Sequence, residues 1–178
     1  LDKMINNFNK TLLCTLILLL FTSCSITENQ DVDAMQIHDI QGCSHISPYN
    51  GKTVTKIEGV VTHKVSNGFT MQALEKDDLD CSSEGIFVFT EEFSNVITGD
   101  VVLVEGQVSE YTAGEKEDAN LSITEIIHPE ISVIRSDQKF PDPFILDDQA
   151  GLIPNKTIED DSLTSFDVNQ DGLDYFES

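Results

Sequence analysis

Near its C-terminus the chain reads Asp167-Val168-Asn169-Gln170-Asp171-Gly172. Oxygen-bearing side chains stand at the first, third and fifth positions and a glycine at the sixth, the spacing a calcium-binding loop needs. The pattern departs at its eighth position, usually apolar but here Asp174, and at its twelfth, usually a bidentate Glu but here Ser178. The same residues also read as an acidic turn ahead of an apolar segment. Calcium held by Asp167, Asn169 and Asp171 is one expectation, and the plain turn is the other. A second chemical grouping is Cys43-Ser44-His45, a thiol beside an imidazole. His38, His45, His63 and His128 are otherwise scattered, with no spacing for a shared metal. The chain contains no P-loop, HExxH, GxSxG or CxxC pair. No catalytic residue is assigned.

The first residues read as an address. Met4 is a plausible true start. MINNFNK supplies one positive charge at Lys10, and Thr11 to Phe21 is an apolar run of eleven residues. A membrane span needs about 20 apolar residues, so this run is too short to be one. Charged leader, short apolar core and small residues describe an export signal. Phe-Thr-Ser-Cys, ending at Cys24, resembles the bacterial lipobox, with Phe21 standing where Leu is usual. Residues 1–23 are therefore expected to be a lipoprotein signal peptide, with Cys24 lipidated and inserted in a membrane. Residues 24–36 are polar, lack periodicity and read as a tether.

That assignment leaves Cys43 and Cys81. Two cysteines in an exported domain are expected to pair. The loop they would close, of about 39 residues, is worth roughly 3–4 kcal/mol in the chain-entropy picture. Two free thiols, or a metal pair with His45, are the alternatives.

Charge narrows the partners. The chain of 178 residues carries 10 basic and 32 acidic side chains, a formal net charge of −22. Phosphate affinity depends on Lys and Arg displacing counterions, so a broad nucleic-acid face is not expected. Soluble cations, divalent ones included, suit such a surface better; the other reading is that the acidity serves only solubility and tolerance of salt.

Residues 37–136 read as one all-β domain. Ile37 to Pro48 leads in and is closed by the turn Pro48-Tyr49-Asn50-Gly51. Lys52 to Val65 is a long first strand, with Gly59 expected to mark a bulge. Ser66-Asn67-Gly68 is a hairpin turn. The second strand is Phe69 to Leu74 and the third Ile86 to Thr90, separated by the acidic loop Glu75 to Ser83. Glu91 to Gly99 has weak helical spacing. Asp100 to Glu110 is the fourth strand, interrupted by Gly106. Asn120 to Ile127 is the fifth, extendable to Ile134 beyond His128-Pro129. Five strands with a glycine-bent first one and a short helical connector predict a five-stranded OB-like barrel, with a small β-sandwich as the competitor. In an OB barrel strands two and three form the ligand face, which points to Phe69, Thr70, Met71, Gln72, Phe87 and Phe89. Exposed aromatics there could stack bases of a single strand. Acidic neighbours predict that any such binding is weak. Residues 137–178 read as an extended linker and the start of a following region.

The order IQGCSHISP, GKTVTKIEGVVTHKVSNGFTMQ, SEGIFVFT and GDVVLVEGQVSEY resembles the N-terminal OB-fold module of bacterial extracellular nucleases. PDPFIL and FDVNQDGLDYFES resemble that family's passage into its next region. In that family the module precedes a catalytic domain of the endonuclease/exonuclease/phosphatase superfamily. The resemblance spans residues 37–178. It implies a secreted or surface-anchored protein of the bacterial cell envelope whose catalytic domain cleaves phosphodiesters with a divalent metal. The catalytic residues of that family would lie beyond Ser178, so none is carried over. The alternatives are a free-standing surface lipoprotein binding a glycan or oligonucleotide, and a structural spacer.

Overall fold

The structure is a computed structural model and describes residues 35–92, 94–114, 120–143, 161–169 and 171–177. The signal peptide, Cys24 and nearly all of the tether lie outside the described residues. Among the described residues no helix is long and apolar enough to cross a membrane.

The protein is mostly β. Strands β1 (Thr53–Val65), β2 (Gly68–Gln72), β3 (Gly85–Phe89), β4 (Val101–Thr112) and β5 (Ser122–Arg135) form one sheet that closes in a ring in the order β1-β2-β3-β5-β4. Every pairing is antiparallel except β3 with β5. The length of β1 makes closure geometrically simple: residues 53–60 pair with β4, while residues 60–65 pair with β2. One strand thus serves both sides of the ring.

Period-two alternation decides which side chains fill the interior. Ile57 and Val61 of β1, Phe69 and Met71 of β2, and Ile86 and Val88 of β3 all join one buried cluster. Burying side chains of this size stabilises by about 1.5–3 kcal/mol each, which selects this register over a one-residue slip. Helix α1 (Ile37–Gln41) lies against β1 and β3 and adds Ile37 and Ile40, both fully buried, to the same cluster. Asp39 accepts a hydrogen bond from the Gln36 amide at 2.8 Å, satisfying one orphan donor at the helix start. Gly42 ends the helix at φ 67°, and a Cβ there would meet Pro48 Cδ at 2.8 Å, so only glycine fits.

The structure departs from the sequence expectations at four places. The segment before the first strand contains α1, and Met35, assigned to the tether, packs against the core. The register shifts in β1 fall between Val54 and Ile57 and between Val61 and His63, not at Gly59, which instead admits Ile37 Cδ1 at 3.2 Å from an ideal Cβ position. The connector after β3 holds bends and a turn but no helix among its described residues. Positive φ at Glu91 (62°) and Gly99 (93°) stops helical geometry at both ends, and Lys64 ties down the carbonyls of Ser94 and Val96. Finally β5 runs unbroken through His128-Pro129, because the shift between Glu105 and Gln107 of β4 absorbs the missing proline donor.

Candidate functional site

Cys43 and Cys81 form a disulfide, which settles the fate of the Cys43-Ser44-His45 grouping: that grouping holds no free thiol to act as a nucleophile. The bridge joins the loop after α1 to the acidic loop between β2 and β3. On either side of it stands a histidine gripped by carboxylates.

The first clasp is His38. Its Nδ1 lies 3.0 Å from Glu84 Oε2, and Glu84 Oε1 accepts the Asp77 amide at 2.8 Å. Asp77 in turn accepts from the Leu79 amide at 2.9 Å and the Ser82 hydroxyl at 2.8 Å. The acidic loop is thereby folded on its own carboxylates.

The second clasp is His45. Its Nδ1 lies 2.8 Å from Glu177 Oε2, and its Nε2 lies 3.2 Å from the Ser165 carbonyl and 3.6 Å from Asp174 Oδ1. A carbonyl can only accept, and so can an ionised carboxylate, so both ring nitrogens carry protons in the form this geometry satisfies. Burial opposes that charge, but Glu177, the Ser165 carbonyl and Asp174 outweigh it and hold the His45 pKa above its ordinary value. His38 is likewise raised, burial being outweighed by Glu84, Asp77 and Asp39.

Both clasps bring three donor atoms within 4.8 Å of one another, close enough to surround a metal ion. At His45 the imidazolium fills that space with N–H groups instead of a lone pair, so a metal would have to displace hydrogen bonds already made.

The calcium-loop residues sit beside the second clasp. Asp167 Oδ1 accepts the Asn169 amide at 3.1 Å, and Asp171 Oδ1 accepts the Leu173 amide at 2.7 Å. Asp171 thereby caps helix α2 (Gly172–Glu177). The buried Asp174 accepts the Asp167 amide at 2.5 Å. The residues named from the sequence for calcium are thus engaged in building a turn and a helix start.

Beside the second clasp lies a cleft of about 380 Å³. Its floor is the outer face of β2 and β3, its sides the start of β5 and the loop after α1, and its rim Phe166 and Glu177 of the C-terminal segment. Of the six residues named for a ligand face, the structure divides them by alternation. Phe69 and Met71 are fully buried in the core. Thr70, Gln72 and Phe87 are half-buried on the outer face and line the cleft, while Phe89 lines a separate hollow with His128 and Glu91. Among the described residues no Lys or Arg lines the cleft.

No protein-family model, curated protein or solved structure matches the chain. The site must therefore be read on its own chemistry.

Sequence reasoning missed Phe166, Ser122 and both clasps. His45 and Glu177 are 132 residues apart, and no local spacing pairs them.

Proposed function

We propose that the chain is the non-catalytic, OB-like N-terminal module of a surface-anchored bacterial nuclease or phosphodiesterase, where it positions a catalytic domain or its substrate. The observation that best supports this is the return of the C-terminal segment. The described residues of 165–177 come back to the closed sheet, where His45 meets the Ser165 carbonyl, Asp174 and Glu177. A domain carried beyond them would leave from a defined point instead of a loose tether. The ring order, with β1 shared between both sides, fits an OB-like barrel. Divalent metal chemistry belongs in this reading to the downstream domain.

Lipidation at Cys24 and a cell-envelope location belong to the same proposal. They are tested by labelling with a radioactive fatty acid in the parent bacterium, where Cys24→Ser should abolish incorporation. Reading the gene beyond codon 178 tests the nuclease itself: a phosphodiesterase domain supports it, and an immediate stop codon sinks it. Calcium at Asp167, Asn169 and Asp171 is tested by calorimetry, and no heat at about millimolar calcium would end that idea.

A further inference from the structure

The cleft over β2 and β3 is chemically unlike the rest of this surface. A chain of net charge −22 has here a hollow whose lining is dominated by hydroxyl, amide and apolar groups. Among the described lining residues the one carboxylate is Glu177, and that is committed to His45. At about 380 Å³ it is at the small end of small-molecule sites, which run from roughly 300 to 1,000 Å³. That is room for one or two rings of modest size.

Two aromatic rings stand in it. Phe87 leans over Gly68, with its Cζ 2.5 Å from where a Cβ on that glycine would be. A side chain on that glycine would collide with the ring, and Phe87 itself lines the cleft. Phe166 is fixed on the rim by an edge contact with His45, ring centroids 5.1 Å apart. Near them are polar groups with no hydrogen-bond partner among the described residues. Among the described residues neither the Gln72 carboxamide nor the Ser122 hydroxyl makes a hydrogen bond. Half-buried donors and acceptors without partners in a hollow are well placed for a ligand that supplies them.

A polyanion fits poorly. Among the described residues no Lys or Arg lines the cleft; the imidazolium of His45 on its rim is already engaged by Glu177 and the Ser165 carbonyl, and the ammonium of Lys64 is held by the Ser94 and Val96 carbonyls. The loop carrying Glu75, Asp77, Asp78 and Asp80 borders the cleft through Cys81 and Ser83. Phosphates would meet repulsion from that loop and would have to compete with Glu177 for the one imidazolium at the rim. A neutral polyol incurs none of that cost: its hydroxyls match Gln72 and Ser122, and its C–H faces match the rings.

We propose that this cleft binds a neutral saccharide, one or two sugar rings packed on Phe87 and hydrogen-bonded to Gln72 and Ser122. The inference rests on the cleft alone and stands whether or not a nuclease domain follows.

The experiment is an amide-resolved NMR titration of the folded chain with maltotetraose, cellotetraose and chitotetraose, and separately with an oligothymidylate of similar length. At least one saccharide should bind in the range of about 0.1–1 mM and shift the amides of Thr70, Gln72, Phe87 and Ser122. Phe87→Ala should weaken binding about tenfold and Gln72→Ala several-fold, while Val133→Ser on the far stretch of β5 should not change it. Gln72→Ala alters a half-buried surface side chain and so remains informative if Phe87→Ala loses its dispersed spectrum. Silence from all three saccharides at about 10 mM overturns the proposal, and so does oligothymidylate binding those residues more tightly than any saccharide.

Discussion

The two histidine clasps use the same chemistry to hold segments of very different character. Around His38, helix α1 is already held by Ile37 and Ile40, both fully buried, so the ion pair with Glu84 adds to an attachment made by packing. Around His45, the segment 161–177 places no side chain in the hydrophobic core among its described residues. Its buried side chains include two carboxylates, Asp171 and Asp174, and Phe176 remains 58% exposed. Polar contacts to one imidazole hold what apolar burial does not. The comparison teaches that a clasp seated on a core is structural, whereas a clasp without one is conditional on protonation.

The disulfide links the loops that carry both clasps, so breaking it should give the largest effect. Cys43→Ser is expected to lower unfolding free energy by about 3–4 kcal/mol in urea melts. A loss below about 1 kcal/mol would show that the clasps alone align the loops. Ile40→Ala should come next, at about 2–4 kcal/mol, by opening a cavity under α1. His38→Ala at the same helix should cost no more than about 1 kcal/mol. If the two costs are equal, the contrast between packed and polar attachment collapses.

The sharpest test is pH. The folded His45 pKa is raised, so its clasp contributes fully below the unfolded value near 6.5 and loses that contribution as pH rises through the folded value. Amide exchange corrected for intrinsic rates should show residues 165–177 losing several-fold of their protection from pH 5.5 to 8.5, with β1 unchanged. His45→Ala should flatten that dependence. The same segment unmoved by pH in the wild-type chain would remove the conditional clasp.

The smallest effect is expected at Glu125. Burial raises its carboxyl pKa, so the folded state binds that proton more tightly than the unfolded one and loses stability as pH rises through the titration. Glu125→Gln should therefore raise the melting temperature at pH 7 by about 1–3 °C and leave it unchanged or lower at pH 4.

The strands were legible because their signals are local. Alternation in Phe69-Thr70-Met71-Gln72 and the Asn67-Gly68 turn locate β2 to within a residue or two, and Gly106 does mark a shift in β4 pairing. Alternation also implied that only one face of β2 could be open, although the side could not be chosen without the ring. What was not legible depends on closure. Phe166 reaches Phe87's side of the sheet only because the chain returns after β5. Gln72 and Ser122 share a cleft only because β3 pairs with β5 across the skipped β4. Asp167 and Asp171 matched a calcium spacing because turn-building and calcium-binding both ask for short carboxylates before a glycine.

The parallel seam between β3 and β5 has a kinetic meaning. Its described register is short, Phe87 opposite Glu125 and Val88 opposite Ile126, and it joins strands with all of β4 between them. Loop-closure entropy must be met before such a non-local pair forms, so the hairpins β1–β2–β3 and β4–β5 can assemble before the ring shuts. Until then both facing edges carry unpaired amides and carbonyls, open to a strand from another chain. Closing late and over so few residues, the seam is where newly made chains would exchange strands if crowded together, and dilution during refolding should favour the monomeric ring.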